Sequence, residues 1–251
     1  MLTVGSGINI GPGITLTKGT TGGSIQFGTN KYVKTASGST TNPLSLGSSF
    51  TVECWFKVLA TSPAGGDYLI TKRTGSTTEY MLYITSGGMN WYQNSSSSTV
   101  SIAGPSPSIN QWHHIAVVRN SSTVTMYLDG TSVGTYSNPY NLVTNTGAPL
   151  NLGYSGYDPS PTYFNGNLNN IRIVPNVAVY TSNFTPSTQN LTATQSANVN
   201  GSPSAAISSG QTVLLMNTPD GANFLQDTSG SNFTFTQGGT SNATSSTSAP
   251  F

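Results

Sequence analysis

The 251-residue sequence predicts an all-β protein, a sandwich of two antiparallel sheets with extended arms at both ends. Three observations carry that expectation. Apolar residues fall in short alternating runs rich in β-branched and aromatic side chains, the runs are punctuated by 28 glycines and 14 prolines, and no stretch has convincing amphipathic helical spacing. One large domain fits the length, because β-sandwiches often exceed two hundred residues as a single unit.

Residues 1–22 alternate weakly and are broken by Gly and Pro, so they read as an N-terminal arm. Residues 23–192 hold the sandwich, with strands expected at Ser24–Val33, Phe50–Val58, Tyr68–Lys72, Tyr80–Thr85, Met89–Gln93, Trp112–Arg119, Val124–Leu128, Leu150–Tyr154 and Gly166–Val174. A Ser/Ala/Asn-rich stretch, 193–210, reads as a linker. Residues 211–251 read as a C-terminal β segment that completes the chain's own sheet or adds to that of a neighbouring copy, with short strands at Thr212–Met216, Phe224–Gln226 and Phe233–Thr236. Its final stretch, 240–250, is rich in Ser and Thr and reads as loosely ordered.

In Phe50-Thr51-Val52-Glu53-Cys54-Trp55-Phe56 the two-residue period sends Phe50, Val52, Cys54 and Phe56 to one face, and Glu53 and Trp55 to the other. Glu53 then lies on a strand beside a Trp and needs a cationic partner, for which Arg172 and Lys72 are the candidates. The same period puts His113 and His114 on opposite faces, the latter with Trp112, so the pair cannot grip one metal. Asp129-Gly130 between two strands marks a tight hairpin turn whose central residues need positive φ.

Composition excludes several function classes. Charged residues make up 6% of the chain, against roughly 25% in an average protein, and eight basic residues face seven acidic ones. No electrostatic footprint for nucleic acid exists. The single Cys excludes an internal disulfide, no apolar run approaches the ~20 residues of a membrane span, and no charged leader precedes an apolar stretch. Folding in a cytosol is therefore expected. Neither Gly-rich run, 5–13 or 19–23, has phosphate-loop or dinucleotide spacing, and no Gly-x-Ser-x-Gly elbow is present.

Taken in order, GGSIQFGTNKYV, FTVECWFKV, QWHHIAVVRN, TMYLDGTSVGT, NLGYSGY and FNGNLNNIRIVPNVAVYTSNFTP resemble the laminin-G-like branch of the concanavalin A-like lectin/glucanase superfamily. The ending, TVLLMNTPDGANFLQDTSGSNFTFTQGG with a final APF, is similar to segments attached to such domains in tailed-phage virion proteins. In many relatives an LL…D…SG…F segment precedes the first strand. Here Leu214-Leu215, Asp227, Ser229-Gly230 and Phe233 follow the domain, as in a circular permutation. The resemblance implies a jelly-roll sandwich with a structural or adhesive role and no catalysis. Glu53, Arg172, Trp55, Trp112, His114, Asp129 and Gly130 read as framework residues, the histidines because laminin-G-like domains share their motif. Glucanase relatives carry Glu-x-Asp-x-x-Glu on one strand, whereas Glu53 here is followed by Cys-Trp-Phe-Lys.

Two binding chemistries stay open. A glycan needs an aromatic face beside amides and carboxylates, which Tyr154, Tyr157, Asp158, Tyr163, Asn138 and Tyr140 supply, although the same tyrosines serve equally for packing between loops or subunits. No cofactor is expected except a calcium ion as an open alternative, with Asp67 or Asp158 as ligands. The function expected from the resemblance is that of a phage virion structural protein, a capsid decoration or tail-fibre component on the virion surface, assembled in the host cytoplasm. Its partners would be other virion proteins, copies of itself and host-surface glycans, with neither nucleic acid nor membrane insertion. A carbohydrate-binding lectin is the alternative, and a glycosidase the third.

Overall fold

The computed structural model describes residues 23–36, 44–60, 66–74, 77–94, 99–140, 142, 147–157, 161–217 and 223–251. The expected N-terminal arm, 1–22, and Asp158 lie outside the described residues. In chain order the first strands are β1 (Ser24–Gln26), β2 (Tyr32–Thr35), β3 (Phe50–Val58), β4 (Asp67–Thr74), β5 (Thr77–Thr85), β6 (Gly88–Asn94) and β7 (Thr99–Ala103). They are followed by β8 (Trp112–Asn120), β9 (Thr123–Leu128), β10 (Thr131–Ser137), β11 (Leu150–Leu152), β12 (Gly166–Pro175), β13 (Leu214–Met216), β14 (Phe235–Gly238) and β15 (Thr244–Ser246). The strands form two antiparallel sheets. One runs β10-β9-β8-β3-β12-β1-β15, with β13 also on β12, and the other runs β14-β2-β11-β4-β5-β6-β7. The all-β sandwich expected from the alternating runs is what the chain forms.

The core lies between the sheets. Phe50, Val52, Cys54 and Phe56 of β3 are all fully buried there, as their alternation requires. Tyr80 stacks on Trp91, which packs against Phe50, and the Tyr80 hydroxyl donates to the Leu44 carbonyl at 3.0 Å. A second apolar layer covers the outer face of the eight-stranded sheet. There Val179, Tyr180, Phe184 and Ile207 pack on Ala116, Val118, Tyr127 and Val174, which leaves β12 buried on both faces. Residues 193–210, linker-like in composition, belong to this layer, and Gln195 and Ile207 are bridged by two backbone hydrogen bonds.

Several boundaries differ from the sequence expectation. Ser24–Val33 is two strands in different sheets, separated by a tight turn in which Asn30 takes φ 59°. Strands β7 and β15 were not among those expected, and β10 was implied only as the second arm of the Asp129-Gly130 hairpin; β15 carries little apolar side chain and is held by backbone pairing to β1. Phe224–Gln226 is a turn rather than a strand. Residues 240–250 are tied down, with Ala243 buried and Lys57 Nζ donating to Ser248 Oγ at 2.8 Å.

The C-terminal strands pair within the chain. β13 adds to β12, β14 to β2 and β15 to β1, so the last forty residues build the edge of both sheets. Asp227 fixes the turn between them, its Oδ1 accepting from the Leu215 and Ser229 N–H groups and its Oδ2 from the Phe233 N–H.

Candidate functional site

The outer face of the eight-stranded sheet holds a buried polar cluster centred on Glu53. Its Oε1 accepts from Arg172 Nε at 2.7 Å and meets Nη2 at 2.6 Å. Its Oε2 accepts from the Tyr180 hydroxyl at 2.9 Å and lies 3.1 Å from His114 Nε2. Register explains the encounter: Glu53 of β3 faces Arg172 of β12, and Trp55 faces His114 of β8. Burial raises the Glu53 carboxyl, but Arg172 and His114 pull it down further, to about 2. Burial, reinforced by the same carboxylate, pushes the Tyr180 hydroxyl up. Such an acid is locked in its ionised form and has no proton to give.

The remaining framework residues surround this cluster. Trp55 packs edge-on against His114 and Phe251, and Lys57 Nζ sits 5.9 Å from the Trp112 ring. His113 and His114 point to opposite faces, His113 Nδ1 meeting Asp129 Oδ2 at 2.7 Å. Asp129 Oδ1 accepts from the His114 N–H, and the carboxyl is lowered although burial opposes it. Asp129 and Gly130 take φ 50° and 78°, as the hairpin turn needs. A Cβ at Gly130 would run into the Phe184 carbonyl. Gly130→Ala is therefore expected to destabilise by at least ~2 kcal/mol, from left-handed strain of about 1–2 kcal/mol plus the clash. A urea midpoint within error of wild type would refute it.

The glycan candidates divide into two groups. Tyr154 is buried and forms a three-ring cluster with Tyr32, at 4.3 Å, and Tyr163, at 5.5 Å, which are themselves 6.2 Å apart. Tyr157 is half-buried with Arg73 4.6 Å over its ring. This group lies at the Val58 end of the sandwich, where Asn165 links Asp67 Oδ1 to Leu59. Asn138 and Tyr140 lie at the Phe50 end, their carbonyls held by Arg119 Nη2. The nine residues of β3 put the two ends about 27 Å apart at ~3.4 Å per residue. The expected single loop site is thus corrected: Asn138, itself buried, and Tyr140 do not join the tyrosines.

Asp67, a calcium candidate, is buried and its Oδ1 accepts from the Asn165 N–H at 3.3 Å. Among the described residues, no group of three His, Cys, Asp or Glu side chains could hold a metal ion. Lys72, weighed as a partner for Glu53, instead pairs with Glu79 at 2.8 Å, both side chains fully enclosed. The pair joins neighbouring strands β4 and β5, whereas Arg119 is clasped by loop carbonyls whose position alternation does not give. The alternation Ile70, Lys72 against a core-facing Tyr80 was the signal for a buried lysine.

The family model for the concanavalin A-like lectin/glucanases superfamily matches residues 27–178. No curated protein sequence matches the chain. Among solved structures, a candidate carbohydrate-binding protein from Bacteroides ovatus ATCC 8483 is similar at a TM-score of 0.60 and 15% identity, over 88% of this chain and 61% of its own. The chain thus spans about three-fifths of that protein's length. Laminin-G domains of the mouse laminin alpha1 chain give 0.48 at 13% identity, over 60% of this chain and 40% of theirs. A pentraxin from Limulus polyphemus gives 0.44 at 17%, over 61% and 76%. At these identities the likeness is one of fold alone.

Proposed function

The chain belongs to the concanavalin A-like lectin/glucanases superfamily, and from that premise we propose that it is a non-catalytic structural and adhesive component of a tailed-phage virion. One observation carries the non-catalytic part. Every described carboxylate is spent on the fold: Glu53 on Arg172, Glu79 on Lys72, Asp129 on His113, Asp227 on three backbone N–H groups and Asp67 on Asn165. Glucanase chemistry needs two carboxyl groups about 5–10 Å apart, one of them a proton donor. The paired, ionised Glu53 does not supply that acid. No release of reducing sugar is expected from any glycan, and release that disappears in Glu53→Gln would overturn the reading.

The virion assignment rests on the resemblance of the C-terminal segment and on a surface nearly free of charge, suited to packing against copies of itself and neighbouring proteins. Mass spectrometry and immunogold labelling of purified particles are expected to find the chain on the virion surface. Its absence from intact particles would contradict the assignment.

Half-buried Tyr157 and Tyr163 support a host glycan as the adhesive partner. So does the likeness to a candidate carbohydrate-binding protein. Binding would be weak per copy and gain from many copies. On a glycan array, Tyr157→Ala with Tyr163→Ala is expected to reduce binding about tenfold, at roughly 0.5–1.5 kcal/mol per ring. Equal binding by wild type and variant would remove these tyrosines from the site.

A further inference from the structure

Residues 180–204, outside the family-matched 27–178, fold back over the eight-stranded sheet and line a solvent-open cleft of about 240 Å³ floored by Arg172 and Tyr180. Its walls are tied to the fold by buried polar side chains. Arg172 Nη1 donates to the Thr192 carbonyl at 3.1 Å and to Gln195 Oε1 at 2.8 Å. Asn170 Oδ1 accepts from the Leu191 N–H at 2.7 Å while its Nδ2 donates to Asn190 Oδ1. Ser202 Oγ accepts from the Thr185 N–H at 2.8 Å. The far wall is a turn holding Asn198 and Asn200 at φ 54° and 53°. Ser204 closes it, its carbonyl accepting from the Asn198 N–H and its hydroxyl from the Val199 N–H.

Exposed along this cleft, Thr188, Gln189 and Asn200 offer side chains that have no hydrogen-bond partner among the described residues. Hydroxyl and amide groups both donate and accept, and Pro186, Leu191 and Tyr180 add apolar surface. No carboxylate lines the cleft for a cation, and the Arg172 charge is already neutralised by Glu53. The chemistry that remains is that of a neutral polyhydroxylated ring. The volume lies below the roughly 300–1,000 Å³ of drug-sized sites, which suits a single ring.

We propose that this cleft is a second binding site, for one neutral sugar ring, separate from the tyrosine group. The inference rests on the adhesive reading for its ligand class but assigns that ligand to other residues. The test is NMR titration of the isotope-labelled full chain with methyl β-D-galactopyranoside, methyl β-D-glucopyranoside and N-acetylglucosamine in turn. Saturable shifts are expected at Thr188, Gln189 and Asn200. Gln189→Ala should weaken binding about two- to tenfold, the range for one hydrogen bond. Thr188→Trp, which fills the cleft from an exposed position, should abolish binding with the melting temperature unchanged. Shifts confined to Tyr154–Tyr163 would overturn the cleft site and leave the adhesive reading standing. Binding that survives Thr188→Trp would overturn it too, as would the absence of saturable shifts, while the oligosaccharide array decides the adhesive reading separately.

Discussion

Arg172→Met is expected to lower the stability of the protein by about 3–5 kcal/mol, because removing one partner of a buried ion pair strands the other. Glu53 would keep only Tyr180 and His114, and the Thr192 carbonyl and Gln195 would lose their donor. Adding Glu53→Gln to Arg172→Met should recover part of that loss, since no buried charge would then remain unpaired. The pair also sets the acid limb of the stability curve. A carboxyl lowered from 4.5 to about 2 contributes about 3 kcal/mol at neutral pH. Because its folded value is the lower one, that contribution is present above about 4.5 and is lost as pH falls towards 2. Urea titrations should show the wild type losing this increment across that window. Glu53→Gln should lack it, and parallel curves for the two proteins would refute the assignment.

Deleting residues 212–251 is expected to abolish cooperative folding. The deletion removes β13, β14 and β15 and with them the buried side chains of Leu214, Leu215, Met216 and Phe235. At roughly 1.5–3 kcal/mol for each large apolar side chain, the loss is about 6–12 kcal/mol, comparable to the ~5–15 kcal/mol that holds a whole domain folded. It also bares Ile171 and Ile173 and strips the partner from the edge of β2. Near-ultraviolet circular dichroism and thermal melting read the outcome. A truncated chain that keeps a sharp transition near the wild-type temperature would mean that these strands serve a neighbour instead.

What could be read from the residues followed from strict periodicity. β3 was legible in full, with Glu53 assigned to the face opposite Cys54 and Arg172 named as a partner, because alternation holds without a break from Phe50 to Val58. β12 shows the limit of that reading. Leu168 and Ile171 both enter the core although they lie an odd three positions apart, because a bulge with Asn170 at φ 50° resets the parity. The cover formed by Val179, Tyr180, Phe184 and Ile207 has no period and sits in polar sequence, so composition alone reads its later half as linker. Yet an outward-facing acid and arginine on central strands already demanded a second layer to enclose them. Asn138 and Tyr140 were misplaced for a different reason. A connection between two sheets does not reveal from sequence which end of the sandwich its residues occupy.

The charge state of Glu53 decides most directly whether this sandwich is a scaffold or an enzyme. Carbon-13 NMR of the Glu53 side-chain carboxyl, followed from neutral pH into acid, should show it ionised until about pH 2. A midpoint at about 5–7, the range to which glycosidases tune a proton-donating glutamate, would contradict the account.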